Sequence, residues 1–219
     1  MYMSFIILLS FLYCSLAFGF HKTIPIRSVS LSRLYKSIRP DTVLPFLNAR
    51  DKMLLASGEM IEKQERNGPR GSGFVVVDIQ SSPDVVFETL SQFGMYQEMI
   101  PIVRSSTIIG RQGDNTMAEF TFSRFSLRVN VKHTVVRDQR LITFALDPDR
   151  VNPVFREAEG FWYVEIPTDR PEGYCRVYLS AEVVIHKIVP TLLVDYAAAT
   201  ALNRATNWLK PYFARKTLK

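Results

Sequence analysis

The sequence predicts an α+β domain: a curved antiparallel sheet wrapped around a long C-terminal helix, with short helices after the first core strand. Three observations carry this. An apolar strand, Gly73 to Ile79, runs straight into Ser81-Ser82-Pro83-Asp84 and an aromatic-rich helical segment. Alternating apolar and polar runs, separated by turn clusters, fill most of the stretch from Val103 to Lys187. A final segment opening at Pro190 then repeats apolar residues at helical spacing.

Taken in order, Asp41 to Ser57 has short helical character, with Leu44, Leu47, Leu54 and Leu55 available for packing. Glu59 to Arg66 fits either a helix or a strand. The strand is favoured because Asn67-Gly68-Pro69-Arg70-Gly71-Ser72-Gly73 is a turn cluster that folds it back on Phe74 to Ile79 as a hairpin. Ser82 offers a capping hydroxyl, Pro83 the fixed φ of a first helical turn and Asp84 an early acid. Beyond them Val86, Phe87, Leu90, Phe93, Tyr96, Met99 and Ile100 recur every three or four residues until Pro101, which predicts one apolar helical face.

Strands are expected over Val103 to Gly110 and Thr116 to Phe122, joined by the turn Arg111-Gln112-Gly113-Asp114-Asn115. The clearest alternation follows. Phe125, Leu127, Val129, Val131, His133 and Val135 share one face, while Ser126, Arg128, Asn130, Lys132 and Thr134 share the other, so this sheet has one wet side. Further strands are expected over Leu141 to Leu146, Gly160 to Ile166 and Tyr174 to Lys187, with Thr168 to Gly173 as a hairpin connection. In the last helix Val194, Ala197, Ala201, Ala205, Trp208 and Tyr212 form one stripe, opposite Asp195, Asn203, Thr206 and Lys210. A sheet and a helix that each have one apolar face bury both by packing together.

The chain has 219 residues, enough for one sizeable core after a targeting segment. Its net charge of +6 is concentrated at one end. The first acidic residue is Asp41, and residues 1–40 carry Lys22, Arg27, Arg33, Lys36 and Arg39; removing those five from 27 basic residues leaves 22 against 21 acidic ones. The body is nearly neutral, which argues against a nucleic-acid partner. Phe5 to Leu16 is an apolar run of signal-peptide length, with small residues at Ser15 and Ala17, so residues 1–17 read as a signal peptide. Residues 18–40, rich in Ser, Lys and Arg and free of acids, have transit-peptide composition, and residues 41–219 form the domain. Cys14 leaves with the signal peptide, so Cys175 is alone and no intramolecular disulfide is expected.

No Cys pair with zinc spacing, His-Glu-x-x-His, Gly-x-Ser-x-Gly or Gly-Lys-Ser/Thr phosphate loop occurs. Neither a metal nor another cofactor is expected. Of the histidines beyond the presequence, His133 and His186, the first falls on the apolar face of its strand, where a satisfied core imidazole is the simplest reading. Glu119, Arg124 and His133 are the polar pocket candidates. The apolar candidates for a ligand cavity are Phe93, Tyr96, Met99, Phe120, Phe122, Trp162 and Tyr178, together with Ala197 and Ala201, whose small side chains leave volume beneath the helix.

The order Ser-Pro, Val86-Phe87, Leu90, Phe93, Tyr96, Met99-Ile100-Pro101 resembles the opening of the polyketide cyclase/dehydrase and START-like superfamily, which includes coenzyme Q-binding proteins. The resemblance spans roughly residues 58–213 and implies the helix-grip fold with a hydrophobic molecule between sheet and helix. It places Phe93, Tyr96 and Met99 in the family's helical lid region, Trp162 at its strand tryptophan and the Pro190 helix at its gripped helix. No catalytic set maps onto this chain.

The tandem leader resembles the bipartite presequence of algae with complex plastids. It implies a plastid protein, the alternative being secretion. The expected activity is non-catalytic binding and transfer of a quinone, isoprenoid, pigment or lipid, and the alternative is an aromatase/cyclase or dehydrase acting through Glu119, Arg124 or His133. Peripheral membrane contact through Arg215, Lys216 and Lys219 is a further expectation.

Overall fold

A computed structural model describes residues 44–122, 127–187, 202–203 and 205–217 of this chain. Asn48 opens the first helix, α1 (Ala49–Ala56), with a reciprocal cap: its side chain accepts from the Asp51 amide at 2.9 Å, and Asp51 accepts from the Asn48 amide at 3.2 Å. The chain then forms the expected hairpin, β1 (Met60–Asn67) and β2 (Arg70–Ile79), whose tight turn is completed by Gly68 at φ 57°.

Pro83 occupies the first turn of α2 (Pro83–Leu90), as expected, but the Ser82 hydroxyl makes no capping bond. The apolar segment is also not one helix. After Leu90 the Ser91 hydroxyl bonds the Phe87 carbonyl at 2.9 Å and the Gln92 amide turns back to the Thr89 carbonyl at 3.1 Å. A 3-10 turn, Phe93–Met95, and a short helix, α3 (Tyr96–Met99), follow.

Six more strands complete the sheet: β3 (Val103–Gln112), β4 (Asn115–Phe122), β5 (Leu127–Val136), β6 (Leu141–Leu146), β7 (Phe155–Glu165) and β8 (Cys175–Ile185). All eight join one curved antiparallel sheet in the order β1-β2-β8-β7-β6-β5-β4-β3. Strand β7 starts five residues earlier than the sequence predicts. The Asn152 side chain accepts from the amides of Val154 and Phe155 and donates to the Arg128 carbonyl, ending the preceding loop early.

Near the C-terminus, residues 202–203 and 205–206 are helical, a turn interrupts at Asn207 and Trp208, and α4 (Leu209–Thr217) follows. The helix is therefore interrupted, although Ala205, Trp208 and Tyr212 of the expected stripe all pack on the core. Pro211 explains the break, because it has no N–H for the Asn207 carbonyl and its ring crowds that carbonyl. Most of the expected helix from Pro190 lies outside the described residues.

Both faces of the sheet are covered. On the inner face Val75, Val77, Ile142, Trp162, Val177 and Leu179 pack with Val86, Phe87 and Leu90 of α2 and with Leu202, Trp208, Leu209 and Phe213. On the outer face Val76, Phe161, Tyr178 and Leu141 pack with Leu55 of α1, Ile61, Leu44 and Leu47. Gly73 allows the close approach on the inner side, since a Cβ there would stand 2.7 Å from Leu202 Cδ1 and 2.6 Å from the Lys63 carbonyl oxygen. Lys210 ties α4 to the end of α1 by donating to the Gly58 carbonyl, and burial holds its ammonium below the usual lysine range.

The outer face also holds a buried ionic network at the β7–β8 loop end. Asp78 accepts two hydrogen bonds from Arg176, Nε at 2.7 Å and Nη2 at 3.0 Å. Arg176 also reaches Asp169 at 3.0 Å, and Arg170 Nε lies 3.3 Å from Asp78 while its guanidinium sits 4.3 Å over the Tyr174 ring. Burial opposes the Arg176 charge, but the bonds from Asp78 and Asp169 prevail and raise its pKa.

Candidate functional site

The inner-face register brings one row of residues into line across the sheet. Thr116 opposes His133, His133 opposes Phe144, Phe144 opposes Gly160, Gly160 opposes Ala181 and Ala181 opposes Gly73. One half of this row is aromatic and the other half is small. The Phe144 ring lies over Gly160, where a Cβ would meet the ring at 2.5 Å and the Ser180 carbonyl oxygen at 2.1 Å.

The aromatic half meets the α2–α3 corner. Phe93 stacks on His133 with ring centres 3.9 Å apart and planes 22° apart, and Phe120 presents its edge to the same imidazole at 5.7 Å. Tyr96 stacks on Phe120 at 5.5 Å and donates its hydroxyl to the Leu90 carbonyl at 2.7 Å. Burial pushes the Tyr96 phenol above its ordinary range, so it stays protonated. Burial also lowers His133 to about 3, against a small opposing effect of the Thr116 backbone, so the imidazole is neutral at ordinary pH.

Of the residues singled out in the sequence, Phe93, Tyr96, Met99, Phe120 and Trp162 are buried together on this side, and Phe122 packs partly buried against them. His133 is among them. Tyr178 is not. It pairs across from Tyr163 and Val76 on the outer face, where its hydroxyl donates to Glu165 at 2.6 Å. Burial raises the pKa of both members of that pair.

Glu119 also points outward, since its neighbours Ala118 and Phe120 take the inner positions, and it lies 3.5 Å from Arg128. Arg124, Ala197 and Ala201 lie outside the described residues. Sequence reading overlooked the Asp78–Arg176 pair, although each residue interrupts an apolar strand, which is the signal of a paired buried charge.

The arrangement is suited to contact with an apolar molecule. Val131, Val135, Phe144, Leu146 and Ala181 all belong to the inner face of interior strands, yet each stays partly accessible. The rings in contact with His133 are those of Phe93, Phe120 and Phe144. Among the described residues no group of three or more His, Cys, Asp or Glu is placed to hold a metal ion.

Solved structures share this architecture. A STAR-related lipid transfer protein from Xanthomonas axonopodis superposes with a TM-score of 0.59 at 14% identity, over 71% of this chain and 93% of its own. A START superfamily protein from Mycobacterium smegmatis gives 0.53 at 15% identity, over 71% and 97%. The fold is the START, or helix-grip, fold. A Thermus thermophilus protein gives 0.52 at 14% identity, over 68% of this chain and 91% of its own. No family model matches the chain, and no curated protein matches it in sequence.

Proposed function

We propose that this protein binds a hydrophobic small molecule between the inner face of its sheet and its C-terminal helix, and shields it or hands it on without chemical change. The partly accessible apolar surface on interior strands carries this reading. Val131, Phe144, Leu146 and Ala181 sit where a packed core would bury them fully, and an apolar ligand laid there removes that surface from water, at about 25 cal/mol per Å² before the costs of binding. The START-fold neighbours described as lipid-transfer and START superfamily proteins support the same chemistry.

The ligand class is a quinone, isoprenoid, pigment or lipid, in keeping with the coenzyme Q-binding resemblance. The site of action is a plastid, reached through the tandem signal and transit segments, and the basic C-terminus makes peripheral contact with anionic membrane. A buried imidazole held at about 3 is a poor general base, which favours carriage over catalysis.

Titration of the protein with decylubiquinone, phytol and oleic acid, followed by quenching of Trp162 and Trp208 fluorescence, tests the reading. Saturable quenching by at least one, abolished by Ala181→Trp, is expected. Absence of saturable quenching by all three would count against it. A fluorescent protein fused behind residues 1–40 tests the location: plastid fluorescence is expected, and fluorescence in the medium would point to secretion.

A further inference from the structure

His133 holds a buried nitrogen that nothing among the described residues satisfies. The residue is 4% exposed, and Nδ1 has no hydrogen-bond partner. Two other buried side-chain atoms among the described residues share that state, Asn130 Oδ1 and Arg170 Nε. Asn130 opposes Glu119 and so belongs to the outer face, and Arg170 lies beside Asp78 in the outer ionic network. His133 Nδ1 is therefore the one such atom on the inner face among the described residues.

The tautomer follows from its surroundings. The Thr116 backbone favours the protonated ring, though burial outweighs it. Nδ1 is among the unpartnered buried atoms and Nε2 is not, so the ring proton is assigned to Nε2. A neutral imidazole has one donor and one acceptor, so Nδ1 presents a lone pair. A buried acceptor without a donor is costly, and a ligand that supplies an O–H or N–H removes the cost.

The surroundings also provide an approach. The nearest same-face neighbours of His133 are Thr116 and Phe144 across the strands and Val131 and Val135 along its own, and all four are partly accessible. From the helix side the ring is covered by Phe93, which stands in a single 3-10 turn next to Gly94 and the exposed Met95. A side-chain rotation of Phe93 uncovers the stacked face of the imidazole without moving the sheet, and a ligand laid in its place reaches the Nδ1 edge from that face.

We propose that His133 Nδ1 is the polar anchor of the ligand site, an acceptor that selects apolar molecules bearing a hydroxyl or another hydrogen-bond donor. Isoprenoid alcohols, phenols and hydroquinones fit it. Ethers and oxidised quinones of the same shape do not. This rests on the hydrophobic-ligand reading and narrows it.

The test uses two probes of nearly equal shape, 2-naphthol and 2-methoxynaphthalene, by titration calorimetry on the intact protein. The naphthol is expected to bind about 3- to 10-fold more tightly, the range of one neutral hydrogen bond. In His133→Phe the ratio falls to about 1 through loss of naphthol affinity alone. Long-range proton–nitrogen NMR of the unsubstituted protein gives a second readout: a protonated Nε2, and an Nδ1 resonance that moves with 2-naphthol but not with its ether. Equal affinities with an unmoved Nδ1 would overturn the anchor and leave the hydrophobic-ligand reading standing. Binding of neither probe would overturn both.

Discussion

Replacing Asp78 by Asn keeps the side-chain shape and removes one charge from the outer-face network. The Asp78 side chain is 1% exposed and that of Arg176 is 4% exposed, so neither ion has water to fall back on. The substitution turns one acceptor oxygen into an NH₂ group facing a guanidinium, and it deprives Arg170 of the carboxylate 3.3 Å away. Breaking a buried pair from one side costs about 3–5 kcal/mol. Asp169 remains 3.0 Å from Arg176, which places the expected loss at the lower end, about 3 kcal/mol. In urea, with a slope of about 2 kcal/mol per molar, the midpoint should fall by about 1.5 M. The double substitution Asp78→Leu, Arg176→Met removes both charges and should recover at least half of that loss. A midpoint within about 0.3 M of the parent for Asp78→Asn would refute the reasoning, because the pair would then carry no buried charge worth compensating.

Three other outcomes follow from the same structure. His133 is held at about 3 in the folded chain, whereas the unfolded imidazole titrates near 6.5, so the unfolded state takes up the extra proton between those values. Stability is therefore full above pH about 6.5 and falls toward acid by about 1.4 kcal/mol per unit, and His133→Phe should flatten that slope in urea melts at pH 4 to 7. Gly160→Ala should destabilise by at least about 2 kcal/mol, because its Cβ would meet the Ser180 carbonyl oxygen and the Phe144 ring; an unchanged melting curve would contradict the register there. Cys175 is fully buried and its thiol is pushed up to about 12 by burial, then by Asp78, so peptide mapping should find it unlabelled by iodoacetamide until the domain unfolds.

The sequence was easiest to read where one side of a strand meets water. In β5 the alternation Val129, Val131, His133 against Arg128, Asn130, Lys132 assigned the inner face correctly, and Pro83 marked a helix start that the structure keeps. Strand β8 was harder. Cys175 to Leu179 are all buried because α1 and its neighbours cover the outer face as well, so no alternation survives to show that Tyr178 points away from Trp162. Sequence reading offers Glu119 as a pocket residue, although its place between Ala118 and Phe120 already sets it on the outer face. The break at Ser91 was not legible, since the apolar spacing runs on through it and the 3-10 turn depends on tertiary packing of Phe93 against His133. The unmet nitrogen of His133 is a matter of three-dimensional surroundings and leaves no mark in composition.

An apolar molecule held between sheet and helix should travel with the protein through purification. Native mass spectrometry of the protein purified without detergent, followed by solvent extraction, tests it most directly. One equivalent of a hydrophobic species, bearing a hydroxyl or another hydrogen-bond donor and absent from the Ala181→Trp variant, is expected. A domain that emerges empty, and stays empty when hydroxylated and non-hydroxylated lipids are added, would contradict it.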